Sequence, residues 1–168
     1  MKTFYKEISE LKNIERRGWK RSNVKGRLES DAEHTFSMIM LALDIMSHND
    51  LKLDELKVLK MISYHELCEI DAGDTTPFDN ITHEEKFNKE YSCIKRLSEQ
   101  YNMPEIEKLW LEFEECKTPE AQFVKHLDKF DAIMQAKNYA DSQNRQDIYE
   151  DFLNHNKVDA DVFNDLKF

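Results

Sequence analysis

The stretch that organises this chain is Ile62-Ser-Tyr-His-Glu-Leu-Cys-Glu-Ile-Asp-Ala-Gly-Asp-Thr-Thr-Pro77, where ionisable side chains gather at a predicted helix end. The residues before it follow helical spacing, and the glycine and proline near its end are typical of a turn. His65 and Glu69 are four residues apart, so a continuous helix would place them on one face, with Glu66 about 100° to the side. The pattern therefore predicts a helix that brings several ionisable groups to one place.

Imidazole and carboxylate groups at this spacing suit a divalent cation and a water molecule. Both groups are ligands for Zn, Mn, Fe or Co, and a nearby carboxylate that binds no metal can carry protons. A solvated helix end explains the His-Glu pair equally simply, because this dipeptide is common. Other parts of the chain have to decide between the two interpretations.

The composition favours a single all-α domain over residues 1–168. A chain of 168 residues can bury about 68–70% of its unfolded surface, which is enough for one core. Three glycines and three prolines leave few signals for strands and turns. The polar tail, residues 142–168, still holds enough apolar residues for one or two docking helices.

Charge and cysteine content argue against several classes of function. The net charge of −10 disfavours general binding of nucleic acid, which normally needs a basic surface. The three cysteines form no CxxC motif, and their odd number would leave one unpaired in any set of disulfides. We therefore expect a reducing compartment and no disulfide framework. No apolar run approaches 18 residues, and the N-terminus lacks the pattern of a signal peptide. We therefore expect a cytoplasmic protein that does not enter a membrane.

One stretch is strongly basic: residues 12–27 hold seven basic side chains and one acid. Arginine offers a planar fork for a phosphate group, and Arg16 and Arg17 stand close to Trp19, whose ring can stack on a base. A solvated loop that balances the acidity of the chain accounts for the same residues, and a lone tryptophan usually packs in a core. Two glycines make regular structure unexpected here.

Two further helices bring candidate ligands towards the core. Ser30-Asp-Ala-Glu33 is a capping-box pattern, so a helix should start at Ser30, with His34 at the head of its apolar stripe. Thr118-Pro-Glu120 predicts the start of a later helix, in which Asp128 lies at the margin of the buried face and needs a partner. A buried histidine is usually a core residue, but two histidines and two carboxylates from three helices suit a divalent metal: His34, His65, Glu66 and Asp128.

With these residues in place, the chain resembles the HD-domain metal-dependent phosphohydrolases, and in particular their small single-domain branch, the 5′-deoxynucleotidases. The order of a histidine, a histidine followed by an acid, and an aspartate on successive helices defines that family. The matching segments are residues 16–24, 29–34, 65–77, 80–86 and 125–136. The family-like core therefore covers about residues 16–140.

The resemblance implies an all-α helical bundle with the metal site between core helices, and it also implies a homodimer. One divalent transition metal, Mn, Co, Zn or Fe, would be held by His34, His65, Glu66 and Asp128, where Glu66 replaces the aspartate of the family. The pair that activates water and assists the leaving group would be Glu69 and Asp74. The residues that hold the 5′-phosphate and the nucleoside would be Arg17 or Arg16, together with Trp19.

The function implied by the resemblance is hydrolysis of a nucleoside 5′-monophosphate, with a deoxyribonucleotide as the favoured substrate, to nucleoside and phosphate. A related HD reaction is the enzymatic alternative, for example triphosphohydrolysis of a dNTP or cleavage of a signalling nucleotide. A nucleotide-binding module that has the fold without turnover is the non-enzymatic alternative. Release of triphosphate would favour the first alternative, and binding without turnover would favour the second.

Overall fold

A computed structural model describes residues 3–75 and 79–156, and almost all regular structure in these ranges is helical. The helices are α1 (Phe4–Glu10), α2 (Arg17–Arg21), α3 (Asp31–His48), α4 (Glu55–His65), α5 (Glu69–Ala72), α6 (His83–Tyr101), α7 (Pro104–Glu115), α8 (Pro119–Gln143) and α9 (Gln146–His155). Within the same ranges, β-type pairing is limited to one antiparallel bridge between Glu15 and Ser30. The predicted all-α fold is confirmed.

Side-chain caps determine where the long helices begin. Ser30 and Thr82 form complete capping boxes with the glutamates three residues later, which starts α3 and α6. Asp54 and Thr118 cap α4 and α8 through single side-chain hydrogen bonds to backbone amides. The starts predicted at Ser30 and Thr118 are therefore confirmed.

Three buried apolar clusters hold the helices together. The largest joins α3, α4, α7 and α8 and contains Met38, Ile62 and Leu127. A second cluster lies around Trp110 between α6 and α7, and a third joins α2, α8 and α9 around Trp19. Because each cluster reaches α7 or α8, the two helices tie the three parts of the bundle into one body.

Several details of the sequence-based description are wrong. Apolar spacing in the sequence predicts a first helix from Phe4 to Arg16, but this helix ends at Glu10. The basic stretch is not an irregular loop, because residues 17–21 form α2. The same spacing rule predicts Leu56 in the apolar face of α4, but Leu56 is 62% exposed and the buried face is formed by residues such as Val58 and Met61. Helical spacing fixes the period of such a face but leaves its direction to the packing.

At the C-terminal end of the described residues, α9 packs on α8 and buries Ile148 and Phe152. The rest of the predicted docking segment, residues 157–168, lies outside the described residues, as does Pro77. None of the helices in the described ranges combines the length and the apolar character that crossing a membrane requires.

Candidate active site

Two histidines from different helices point into one buried space. His34 lies in the first turn of α3, and its Nδ1 atom is 2.7 Å from Oδ2 of Asp131. His65 is the last residue of α4, and its Nδ1 atom is 2.6 Å from the carbonyl oxygen of Ile62. In both rings the other nitrogen, Nε2, is buried and has no hydrogen-bond partner among the described residues. The Nδ1 contacts leave Nε2 as the natural metal-binding atom of each ring.

Two carboxylates converge on the same nitrogens. Oε1 of Glu66 is 3.2 Å from Nε2 of His65 and 3.6 Å from Nε2 of His34. Oδ1 of Asp128 is 3.1 Å from Nε2 of His34, which supplies the partner expected for this carboxylate. One ligand atom from each of the four residues lies within 4.8 Å of the others. Two imidazole nitrogens and two carboxylate oxygens in this arrangement fit a divalent transition metal.

Glu66 reaches this site because α4 ends one residue before it. Glu66 is the C-cap of α4, with φ −92° and ψ −1°, and a turn separates it from α5, which begins at Glu69. The expectation that His65 and Glu69 share one face of a continuous helix is therefore wrong. The turn places the carboxylate of Glu66, and not that of Glu69, beside the two histidines.

Charge in the site favours ionised carboxylates at the metal-binding positions. Burial raises the pKa of Asp128, but the adjacent His34 and the charge of Arg16 outweigh it and hold that pKa well below its usual range. Burial and Arg16 lower the pKa of His34, yet Asp128 and Asp131 together raise it to about 9. A proton and a metal ion would compete for Nε2 of His34.

The two candidate phosphate arginines have different surroundings. Nη1 of Arg16 is 2.8 Å from Oε1 of Glu66, and Nη2 is 3.7 Å from Oδ1 of Asp128, so this guanidinium lies against two of the predicted metal ligands. The guanidinium of Arg17 pairs with Asp79, at 3.1 Å and 2.9 Å, and is half exposed. Arg16 is thus the arginine that the structure brings to the four-residue cluster.

Trp19 is buried in the third cluster and is only 1% exposed. Its ring stacks on Phe152 at a centroid distance of 4.3 Å, and its Nε1 donates a 3.0 Å hydrogen bond to Oε2 of Glu29. Tyr139 packs edge-on against the same ring at 5.1 Å. Trp19 is therefore part of a packed aromatic wall. A nucleobase could contact that wall, but it could not stack on Trp19 as on a free, exposed ring.

We expect Trp19→Phe to reduce the free energy of unfolding by about 1–3 kcal/mol, because it leaves the buried Glu29 carboxylate without its donor. Urea denaturation would measure the loss. Glu29→Gln is the matched control, since an amide oxygen still accepts the bond, and its loss should be smaller. A loss below about 0.5 kcal/mol in Trp19→Phe would show that this hydrogen bond contributes no more to the free energy of unfolding than a typical surface residue does.

Two cavities meet at the metal-binding cluster, and Arg16, Asp74, Thr75 and Asp128 line both of them. The first has a volume of about 180 Å³ and lies between α2, α8 and α9. Its walls combine aromatic and polar side chains, including Trp19, Lys129, Phe152 and His155. We call it the aromatic cavity.

The two predicted catalytic acids lie next to the metal-binding cluster. Burial first, and then the neighbouring carboxylates Glu66 and Asp31, raise the pKa of Glu69 well above its usual range. Burial likewise raises the pKa of Asp74, which accepts a hydrogen bond from the backbone amide of Arg17 and so ties α2 to the site. Carboxyl groups with raised pKa values are suited to exchanging protons near neutral pH.

Three buried acids of the site were missed by the sequence analysis: Glu29, Asp31 and Asp131. Asp131 follows Asp128 by three residues, a spacing that puts both on one side of α8, and this was the available signal. Burial and then Glu66 raise the pKa of Asp31 to about 7. The contact of Asp131 with His34 makes it the residue that orients this imidazole.

We expect Asp131→Ala to weaken metal binding by about 10–100-fold, because the outer partner of a metal-binding histidine sets its tautomer and orientation. Titration of the apoprotein with Co or Mn would measure the change. Asp141→Ala is a suitable control, since Asp141 is an exposed residue of the same helix paired with Lys137. Equal metal affinity in Asp131→Ala and the wild type would show that Asp131 does not contribute to the metal centre.

The comparison with protein families agrees with this geometry. A model of the HD domain family matches residues 8–166, which is nearly the whole chain. The chain belongs to the HD domain family. The four residues of the cluster follow one another along the chain in this order: His34 in α3, His65 and Glu66 at the end of α4, and Asp128 in α8.

Relatives of this HD domain include two proteins named 5′-deoxynucleotidase HDDC2. The one from Dictyostelium discoideum is 36% identical over 144 residues, which cover 81% of this chain and 75% of the relative. The human protein is 32% identical over 152 residues, which cover 89% of this chain and 72% of the relative. The similarity therefore extends over most of this chain and most of each relative.

Solved structures of similar proteins have the same fold. A conserved hypothetical protein from Pyrococcus furiosus has a TM-score of 0.72 and 28% identity, with 88% of this chain and 83% of that one covered. A predicted metal-dependent phosphohydrolase from Magnetospirillum magnetotacticum has a TM-score of 0.64 and 28% identity, covering 80% of this chain and 73% of that one.

Proposed function

We propose that this protein is a metal-dependent 5′-deoxynucleotidase, which hydrolyses a deoxyribonucleoside 5′-monophosphate to a deoxynucleoside and inorganic phosphate. The observation that carries the proposal is the convergence of two buried, unpartnered Nε2 atoms with two carboxylates beside Arg16. The names of the relatives support the choice of substrate.

The residues that would hold the metal are His34, His65, Glu66 and Asp128. A bound divalent ion supplies two effects here: it lowers the pKa of a water molecule and polarises a phosphoryl oxygen. The donor set allows Mn, Co, Zn or Fe, because imidazole and carboxylate suit all four. One ion per chain is the proposed content.

Arg16 would hold the phosphoryl group of the substrate. Its guanidinium already lies within 2.8 Å of Glu66 and 3.7 Å of Asp128, so a phosphate beside the metal ligands is within its reach. Charge on the phosphoryl oxygens is redistributed as the bond to the leaving group breaks, and a fixed cation stabilises that change. Arg17, paired with Asp79, would act by keeping α2 in place.

Glu69 and Asp74 would handle the protons. The oxygen of water attacks phosphorus while the bond between phosphorus and the 5′-oxygen breaks. One carboxylate takes the proton from the attacking water, and the other, in its protonated form, gives a proton to the leaving 5′-oxygen. Burial raises the pKa of both acids, which is the direction expected of carboxyl groups that exchange protons in catalysis.

The aromatic cavity would hold the nucleoside. It opens from Arg16 and Asp128 towards Trp19 and Phe152, so a substrate whose phosphate meets Arg16 directs its base to the aromatic wall. Lys129 and His155 line the same cavity and offer polar contacts to a base or sugar.

A phosphate-release screen tests the proposal. The panel is dNMPs, NMPs and dNTPs, each with Mn, Co, Zn or Mg, and the chelated protein is the control. Release of orthophosphate from a dNMP, faster than from the matching NMP, supports the proposal. Release of triphosphate from a dNTP would favour the related HD reaction, and nucleotide binding without release in every metal would favour a non-catalytic module.

We further propose that the protein is a cytoplasmic homodimer. The three cysteines are free thiols, which is consistent with a reducing compartment. On α3, Phe36, Met40 and Leu43 are exposed and lie one helical turn apart, which offers an apolar face for a second copy. Sedimentation at several protein concentrations would measure the oligomeric state.

A further inference from the structure

The second cavity that reaches the metal-binding cluster has a different character from the aromatic cavity. Its volume is about 170 Å³, and besides Arg16 and Asp128 it is lined by His65 and Glu66. It also contains two cationic side chains with no role in the mechanism above, Lys86 from α6 and Lys125 from α8. We call it the lysine cavity.

Lys125 is held close to a predicted metal ligand. Its Nζ atom lies 3.7 Å from the centroid of the Phe113 ring and 2.8 Å from Oε1 of Glu114. The same phenyl ring contacts His65 edge-on, at a centroid distance of 5.4 Å. One aromatic ring therefore separates the ammonium group from the imidazole, which places a positive charge at the edge of the metal centre.

Lys86 is held by a buried acid. Its Nζ atom is 3.0 Å from Oε1 of Glu90, whose side chain is only 7% exposed. The burial of Glu90 draws the ammonium group inwards, towards the cavity that both residues line. An ammonium group has three N–H donors, so a lysine that donates to one glutamate can also donate to a bound anion.

Ordinary surface ion pairs on the same helices look different. Lys95 and Glu99 form a pair at the same i, i+4 spacing on α6, with side chains 55% and 68% exposed. Lys137 and Asp141 form such a pair on α8, at 48% and 61%. Pairs of that kind contribute little to stability. The acids that pair with the two lysines are far less exposed, at 7% for Glu90 and 24% for Glu114. The other acids that line this cavity are those of the proposed active site: Glu66, Glu69, Asp74 and Asp128.

We propose that the lysine cavity binds the inorganic phosphate released by hydrolysis, with Lys86 and Lys125 as its oxyanion donors. The inference rests on the proposed function and adds the location of the second product. The two cavities share the lining residues Arg16, Asp74, Thr75 and Asp128 and are otherwise lined by different side chains. Phosphate bound in the lysine cavity therefore leaves the aromatic cavity to the nucleoside. The two products can then be bound at the same time.

Calorimetric titration of the metal-loaded protein with inorganic phosphate tests this inference. Lys86→Met and Lys125→Met should each raise the Kd for phosphate about tenfold or more, since each removes a charged hydrogen-bond donor. Lys95→Met and Lys137→Met are the matched controls and should stay within about twofold of the wild type. Metal content and circular dichroism would be recorded for every variant.

Two double variants separate specific donors from general charge. Lys86→Met/Glu90→Gln and Lys125→Met/Glu114→Gln keep the net charge of the protein, and neither leaves a buried carboxylate without its cation. They should still show the roughly tenfold loss of phosphate affinity. Phosphate affinity close to wild type in both double variants, or an equal loss in the two controls, would overturn the assignment, as would a wild-type protein that binds no phosphate.

The titration distinguishes failure of this inference from failure of the proposed function, because binding of phosphate requires no turnover. A protein that hydrolyses dNMPs but binds phosphate independently of both lysines would contradict the lysine cavity alone. A protein that binds phosphate through the lysines but releases none from any nucleotide would contradict the proposed function alone.

Discussion

Replacing His65 with alanine is expected to empty the metal site and to reduce nucleotide hydrolysis by at least about a thousandfold. Stabilisation of the transition state by a bound metal amounts to several kcal/mol, and each 1.4 kcal/mol is about a factor of ten in rate. His65 contributes one of two imidazoles to a four-residue site, and its Nε2 has no other partner among the described residues. Three remaining ligands hold a transition metal much more weakly than four.

Metal analysis and initial rates on the best dNMP would measure both effects. His65→Gln accompanies the alanine variant, because it fills more of the space beside Phe113 and so tests whether a folding defect explains the loss. His48→Ala is the control, since His48 is an exposed histidine at the far end of α3. A His65 variant that is folded and retains one metal ion per chain would contradict the proposed centre.

Local sequence signals were sufficient to predict the helical bundle. Capping boxes at Ser30 and Thr82 and the N-cap at Thr118 depend on residues within one turn, so they can be recognised without tertiary information. The short helices α2 and α5 were not predicted. Each has five residues or fewer, which is too short for a hydrophobic period, and such helices are stabilised mainly by packing.

The composition of the metal cluster could also be predicted, but the way its members meet could not. The positions of His34 and Asp128 on their helices indicated that they point inwards. The turn at Glu66 ends α4 and brings this acid beside the two histidines, but no glycine or proline marks that turn in the sequence. The sequence also could not predict the environment of Trp19, because Phe152, which stacks on its ring, lies 133 positions further along the chain.

The resemblance favours Arg17 for the phosphate and leaves Arg16 as the alternative, and the structure gives the two side chains different surroundings. They are adjacent residues at the start of α2, where the N-cap is Arg16 in an extended conformation and the first helical residue is Arg17. This change of backbone direction sends the two side chains apart. Arg16 reaches Glu66 and Asp128, whereas Arg17 reaches Asp79.

The second large effect is therefore expected for Arg16→Ala, which should lower kcat by about 10²–10³, by analogy with the loss of one preorganised donor to a developing charge. The contribution belongs to the transition state, so kcat should fall more than the affinity for substrate. Arg16→Lys should restore only part of the rate, because a lysine keeps the charge without the planar fork.

Arg17→Ala is the matched control for this effect, since it removes the neighbouring arginine and a half-exposed ion pair with Asp79. Its kcat should remain within a few-fold of the wild type, because exposed ion pairs contribute about 0–1 kcal/mol. Steady-state kinetics on one dNMP, with the metal content of each variant measured in parallel, would separate loss of the phosphate contact from loss of the metal. If Arg17→Ala loses kcat and Arg16→Ala does not, the reacting phosphate lies on the Asp79 side of α2 and the site proposed here is misplaced.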